Sequence, residues 1–230
     1  MGVITRVAGT IGAVGSAGDD GPATDAQLNY PRGTEGTPDG GFLIADTFNQ
    51  VVRKVSADGV ITRVAGTTGT VGSAGDDGPA TDAQFNNPRV VAVTADGGFL
   101  VADTYNQVVR KVSAGGVITR VAGTTGTAGS AGDDGPATDA RLHIPLGIAV
   151  TADGGFVIAD TYNQAVRKVS AGGVITRVAG TTGTVGSAGD DGPATDAQFN
   201  YPLGIAVTAD GGFVIADIHN LVVRKVKPIV

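Results

Sequence analysis

The sequence is poor in the residues that build covalent cross-links and large aromatic cores. It contains no cysteine, which excludes disulfides and thiolate metal sites. It also lacks tryptophan, has a single methionine, and only 5% of its residues are aromatic. No apolar run approaches the roughly 18 residues that a membrane-spanning helix needs. The chain opens directly inside a repeat, without the basic and apolar segments of a signal peptide, so we expect none.

Basic residues and glutamate are also scarce. The formal net charge of −6 argues against a nucleic-acid-binding surface, which needs a basic stripe. Glu35 is the only glutamate, and all other acidic residues are aspartates, which suit turns better than helices. The 38 glycines lack the three-residue period of collagen and therefore indicate many tight turns.

An internal repeat organises the whole chain. The string GVITRVAG recurs every 57 residues, at Gly2, Gly59, Gly116 and Gly173. A fixed period of this length is typical of repeat architectures in which each unit is one supersecondary motif. We predict a single domain over 1–230, built from the units 2–58, 59–115, 116–172 and 173–229.

Each unit contains four short β-branched segments bounded by Gly, Asp and Asn. We name these strand positions a, b, c and d. In the third unit, a is residues 147–151, b is residues 156–159, c is residues 165–169 and d is residues 117–122. The d strand stands first in the unit and belongs to the preceding blade. Such segments predict antiparallel hairpins, and a four-stranded unit at this period is typical of a propeller blade. The predicted fold is all-β, a propeller of four blades with four antiparallel strands each. A β-helix would need a much shorter period.

The chain begins with a d strand and ends with a c strand. We therefore expect Val3–Ala8 to pair with Val222–Val226, which would complete the last blade and cover two open strand edges. This predicts a closed monomer. The alternative is that the same strand completes the last blade of a second molecule, giving an eight-bladed dimer.

Parts of the sequence resemble a known repeat family. Residues 102–112 (ADTYNQVVRKV) and Pro145–Val150 (PLGIAV) are similar to the NHL repeat. The VAGTTG and GDDGPATDAQF strings of the connections between strands d and a, the latter at residues 75–85 and 189–199, resemble the long loop of bacterial and teneurin-type NHL propellers. The resemblance implies blades that usually bind proteins, nucleic acid or other ligands, with a few enzymes among the relatives. NHL rings more often have six blades, so four repeats depart from the pattern.

Loop length favours one side of the predicted propeller as the working face. The a–b and c–d turns are tight, whereas the other face carries the b–c turn and a d-to-a connection of more than 20 residues, a length typical of functional loops. The candidate binding residues on this face are acidic and aromatic: Asp19, Asp20, Asp76, Asp77, Asp133, Asp134, Asp190, Asp191, Tyr105, Tyr162 and His219. An acidic crown would attract a cation or a basic partner. The alternative is that Asp-Asp-Gly-Pro is only turn chemistry.

Neither a metal nor another cofactor is expected. Calcium loops alternate their oxygen ligands along the chain, and the adjacent aspartates do not provide that spacing. The two histidines, His143 and His219, stand in different repeats without a catalytic motif around them. The trio Asp103, Asn106 and Arg110 recurs in every repeat and predicts a structural link within the blade rather than four catalytic sites.

Three functional hypotheses remain. The leading one is a non-catalytic propeller that binds a protein or a small ligand through its long-loop face. The second is an NHL-like lactonase or lyase, although the predicted inner strands offer only one distinctive acid, Glu35, where other repeats have alanine. The third is a repeat-amplified or engineered scaffold with no evolved ligand.

Overall fold

The computed structural model describes residues 2–228 and contains antiparallel β-sheets joined by turns and 3₁₀ helices. The first sheet has five strands in the order β1-β5-β4-β3-β2. Its strands are β1 (Gly21–Pro22), β2 (Pro31–Gly36), β3 (Phe42–Asp46), β4 (Val51–Val55) and β5 (Val60–Ala65).

The next two sheets repeat this arrangement. The second sheet has the order β6-β7-β8-β9, with β6 (Pro88–Val93), β7 (Phe99–Asp103), β8 (Val108–Val112) and β9 (Ile118–Ala122). The third has the order β10-β14-β13-β12-β11, with β10 (Gly135–Pro136), β11 (Pro145–Val150), β12 (Phe156–Asp160), β13 (Ala165–Val169) and β14 (Val174–Ala179).

The last sheet has three strands, in the order β15-β16-β17: β15 (Pro202–Val207), β16 (Phe213–Asp217) and β17 (Val222–Val226). Single turns of 3₁₀ helix follow the b strands and interrupt the long connections. They span Ala23–Asp25, Thr47–Asn49, Ala80–Asp82, Thr104–Asn106, Thr161–Asn163, Ala194–Asp196 and Ile218–Asn220. None of the helices in the described residues is long and apolar enough to cross a membrane.

The predicted a-b-c-d meander is confirmed. In the third sheet, β11 pairs with β12, β12 with β13, and β13 with β14, all antiparallel. The long connection adds a strand that the sequence did not predict. Gly135 and Pro136 lie opposite Ile175 and Val174 of β14, and the first sheet repeats this pairing through β1.

By its contacts the chain divides into two compact units. The described part of unit 1 is residues 2–99 with 112–119, and that of unit 2 is residues 100–111 with 120–228. The prediction of a single domain is not tested by this division and stays a prediction.

Each unit has an apolar core, which lies between the first sheet and the long connection in unit 1 and includes side chains of two neighbouring sheets in unit 2. In unit 1 it contains Ile44, Val55 and Ile61 with two alanines of the connection, Ala23 and Ala26. In unit 2, side chains of the third sheet, including Val157 and Val166, pack on Phe213 and Ile215 of the fourth. In each unit, the a strands of neighbouring sheets also lie against each other. β2 contacts β6 in unit 1, and β11 contacts β15 in unit 2. This is the layered packing expected for stacked blades.

The fourth strand predicted for the last sheet is not among its strands. Residues 2–8 lie in no assigned strand, and Ile4 is 98% exposed. The last sheet ends at β17, on which Val223 is 71% exposed. A segment forms strand hydrogen bonds only beside the edge of another strand. The structure therefore does not show the predicted pairing of Val3–Ala8 with Val222–Val226.

Candidate functional site

A polar network occupies the b–c turn of each repeat, and in the first three sheets all of its members are buried. In the third sheet, Asn163 Nδ2 donates to Asp160 Oδ2 at 2.7 Å, and Arg167 NH1 lies 3.6 Å from the same oxygen. Asp160 is fully buried and Arg167 nearly so. The prediction that this trio links the blade structurally is therefore confirmed, because each partner satisfies another buried charge or dipole.

The arginine of this network also holds the long connection. Arg167 Nε donates to Asp133 Oδ1 at 2.9 Å, and its NH1 donates to the Arg141 carbonyl at 2.7 Å. Arg53 pairs with Asp19, and Arg224 with Asp190, in the same way. These aspartates were predicted to belong to an acidic binding crown, but their charges are already neutralised by structural arginines.

Burial controls the acidity of the network. Desolvation raises the pKa of Asp160 to about 7, although hydrogen bonds from Asn163 and the His143 backbone, and the Arg167 charge, lower it. The pKa of Asp46, at the equivalent position of the first sheet, is raised for the same reason. These carboxyls are enclosed in the blade and are not available to a ligand.

The second aspartate of each Asp-Asp pair has a different environment. Asp20, Asp77, Asp134 and Asp191 all have a positive φ of 62–64° and are exposed. The Asp134 N–H donates to the Ile175 carbonyl of β14 at 2.7 Å, which places this residue at the outer edge of the sheet. Asp20 bonds to Ile61 of β5 in the same way. The second aspartate of each of these two pairs therefore lies beside the outer strand of its sheet.

Aromatic rings form a row over the b–c turns of unit 2. The rings of His143 and Tyr162 are 5.1 Å apart, those of Tyr162 and Tyr201 are 5.5 Å apart, and those of Tyr201 and His219 are 4.8 Å apart. Unit 1 has a shorter version, with Tyr30 and Phe48 at 4.7 Å. We call the four rings of unit 2 the aromatic row. It contains two of the predicted site residues, Tyr162 and His219.

The backbone explains why these rings meet. The Tyr162 N–H donates to the His143 carbonyl at 3.1 Å, which holds the end of the long connection beside the b–c turn. Tyr201 stands just before Pro202 with a positive φ, as Tyr30 does before Pro31. Sequence reasoning missed both tyrosines as site residues, although their shared position before a strand-initiating proline was a usable signal. Tyr105, the remaining predicted aromatic, is half exposed at the equivalent turn.

Unit 1 contains a smaller and a larger pocket. The smaller, of about 290 Å³, is lined by Glu35, Val7 and Phe42, and Glu35 is exposed there rather than buried near an axis. The larger, of about 570 Å³, lies beside the a–b and c–d turns and includes Asp39 and Lys54, which form an ion pair at 2.5 Å. Within residues 2–228, no group of three His, Cys, Asp or Glu side chains is arranged to hold a metal ion.

Comparison with known sequences identifies the repeat. Residues 142–169 match the NHL repeat family. The chain is 30% identical to mouse teneurin-4 over 91% of its length, but spans only 8% of that protein. It is 32% identical, over 41% of its length, to the protein SUPPRESSOR OF QUENCHING 1, chloroplastic, of Arabidopsis thaliana, of which it spans 9%. The chain therefore corresponds to a small part of these curated relatives.

Comparison with solved structures supports the same fold. A streptogramin B lyase aligns with a TM-score of 0.58 at 15% identity, over 93% of this chain and 54% of the lyase. An auxiliary nutrient binding protein from Bacteroides thetaiotaomicron aligns with a TM-score of 0.55 at 18% identity, over 88% of this chain and 60% of that protein. At these identities the likeness shows the β-propeller fold alone.

Proposed function

The chain is an NHL-repeat protein with a β-propeller fold, and from that premise we propose that it is a non-catalytic module that binds a basic segment of a partner protein. The observation that carries this proposal is the aromatic row, in which Tyr162 remains 49% exposed. Tyrosine faces attract arginine and lysine side chains through cation–π contacts, and tyrosine is enriched in binding hot spots.

The surrounding charge favours the same kind of partner. The chain has a net charge of −6, and the Asp20 set (Asp20, Asp77, Asp134 and Asp191) is exposed. Long-range attraction to this acidic edge would steer a basic segment, while the rings would provide the close contact. The buried acids support binding rather than catalysis, because they are committed to asparagine and arginine within the blade.

A matched pair of peptides tests the proposal. We expect a peptide of about ten residues that alternates Arg and Gly to bind more tightly than its Gln-Gly counterpart in isothermal titration calorimetry, because only the former carries the cation. Tyr162→Ser should weaken the Arg-Gly peptide about tenfold, the size of one strong contact. Val174→Ser, at a residue that is similarly exposed, at 45%, but lies on β14, is the control and should leave the affinity unchanged.

Two results would contradict this assignment. One is equal binding of the two peptides. The other is chemical-shift perturbation centred on the larger pocket of unit 1, at Asp39 and Lys54, rather than on the aromatic row.

We also propose the finer architecture that the repeats imply. The four sheets are the four blades, and the last sheet takes the segment Val3–Ala8 as its fourth strand. The support is the repeat itself, since β4 pairs with β5 and β13 pairs with β14 at the corresponding positions. If the last sheet followed the same register, Ala8 would lie opposite Val223 and Ile4 opposite Val226.

A further inference from the structure

We propose that the fourth strand of the last sheet comes from a second copy of this chain, so that two chains assemble head to tail. This inference rests on the proposed fourth strand and adds the identity of its donor. It would convert two exposed apolar ends of each chain into buried interfaces.

The last sheet presents an apolar surface that the other sheets bury. Val223 is 71% exposed, whereas its counterparts Val52 and Val166 are 0% exposed. The space around Gly204 of β15 also differs from that around Gly33, its counterpart in β2. A Cβ at Gly33 would lie 2.6 Å from the Arg89 carbonyl of the neighbouring β6, but a Cβ at Gly204 meets only Ala216 of its own sheet, at 3.6 Å.

The sequence at this end differs from the inner repeats in a way that fits a covered surface. Gln50 and Gln164 accept hydrogen bonds from the backbone of the next repeat through Oε1, whereas the last repeat has Leu221 at this position, 90% exposed. The Thr47 hydroxyl donates to the Pro88 carbonyl, and the last repeat has Ile218 instead. A terminal repeat that faces water needs a polar outer surface. Apolar replacements therefore indicate that a partner covers this end.

The N-terminal segment makes the same arginine contacts as a d strand, although no c strand lies paired beside it. Arg6 NH1 donates to the carbonyls of Gly9 and Thr24 at 2.5 and 2.6 Å. Arg63 makes the corresponding bonds to Gly66 and Thr81. The side chain that this segment should bury is nevertheless free, because Ile4 is 98% exposed while Ile61, Ile118 and Ile175 are fully buried.

The two ends match each other. In unit 2, Val157 and Val166 of one sheet pack with Ala179 against Phe213 and Ile215 of the next. At the beginning of unit 1, Ala8 packs with Phe42 beside Ile44, the counterparts of Ala179, Phe213 and Ile215. The counterparts of the two valines are Val214 and Val223. The open pocket beside Val7 and Phe42 lies where these side chains of a second copy would pack.

A second copy satisfies both ends at once. The near-identical repeats make the end of one chain complementary to the start of another, in the same way as β11 and β15 pack within unit 2. Propellers typically have four to eight blades. Two chains would give eight blades and a closed assembly, whereas a third chain would exceed that range.

The mass of the assembly is the first test. Sedimentation equilibrium should give twice the chain mass of 22.7 kDa. Val223→Asp should give the mass of one chain, because a carboxylate cannot be buried unpaired in the interface. Val71→Asp, at another exposed valine in a long connection, is the control and should keep the doubled mass. A wild-type mass of one chain, or of three or more, overturns the inference.

Cysteine cross-linking identifies the donor of the strand, since the chain has no cysteine of its own. In the proposed register Thr5 lies opposite Lys225, as Thr62 lies opposite Lys54. Antiparallel partners of this kind are close enough for a disulfide. Co-expression of a Thr5→Cys chain with a Lys225→Cys chain should give a covalent dimer of the two, and Thr5→Cys with Val71→Cys should not.

The outcomes separate the inference from the proposed strand. A covalent dimer that requires both cysteines supports the second copy. If the doubly substituted chain, Thr5→Cys with Lys225→Cys, instead closes on itself as a cross-linked monomer, the fourth strand stands and the second copy is wrong. If neither arrangement cross-links, both the strand and its donor are wrong.

Discussion

At the scale of single residues, one sequence pair has two separate roles. Asp133 is bound by the buried Arg167, whereas Asp134 turns the backbone with a positive φ and bonds to the outer strand through its N–H. The sequence shows both as identical carboxylates in a turn. Their roles depend on an arginine 34 residues away, which local pattern analysis does not connect to them. The Asp-Asn-Arg trio was predictable because it recurs at a short, fixed spacing within one hairpin.

The raised pKa of Asp160 gives a pH dependence of stability. Its folded pKa of about 7 lies above its ordinary value of 3.8. The contribution to stability is therefore complete below about pH 4 and is lost as the pH rises through 7. We expect the melting temperature to fall between pH 5 and pH 8, and to fall less in Asp160→Asn, measured by circular dichroism.

A second aspartate provides the control for this measurement. Lys168 and Thr151 lower the pKa of the exposed Asp153 to about 2, so its contribution is present above pH 3.8 and is lost only as the pH falls further. Asp153→Asn should keep the slope of the unsubstituted chain between pH 5 and pH 8. Equal slopes in all three proteins would contradict the role assigned to Asp160.

At the scale of elements, the strands were predictable and the added edge strands were not. The b, c and d segments carry β-branched residues between turn residues, and the structure places strands there. Strands β1 and β10 are Gly-Pro dipeptides, which have no strand pattern. They extend the sheet because the connection is held against β5 and β14 by hydrogen bonds on both sides, including Asp134 to Ile175 and Ala137 to Gly173.

The conformation of Asp134 should determine how well this edge strand is held. Its φ of 63° is tolerated by Asn and strained for β-branched residues. We expect Asp134→Val to lower the free energy of unfolding by about 1–2 kcal/mol. Asp134→Asn keeps the conformation while removing the charge, so it should change stability little. Urea denaturation measures both, and equal losses would show that charge rather than backbone conformation matters here.

At the scale of the whole molecule, the proposed assembly rests on the repeat number and on the exposed apolar side chains at the two ends. Four copies could be counted from the sequence, and so could the mismatched termini. The exposure of Ile4 and Val223 could not, because identical sequence segments are buried or exposed according to whether a neighbouring repeat covers them. The aromatic row could not be predicted for a similar reason. Its rings come from two successive repeats, and the sequence alone does not show that these rings lie side by side.

If two chains share their ends, folding and association are linked, and thermal stability must depend on concentration. Anything that binds the folded state raises its stability by mass action. We therefore expect the melting temperature to rise by on the order of 2 °C for each tenfold increase in chain concentration. Val223→Asp should melt at a lower temperature that does not change with concentration, because its apolar end can no longer be covered. Differential scanning calorimetry over a hundredfold concentration range makes the comparison. A concentration-independent transition in the unsubstituted chain would mean that each chain folds and melts by itself.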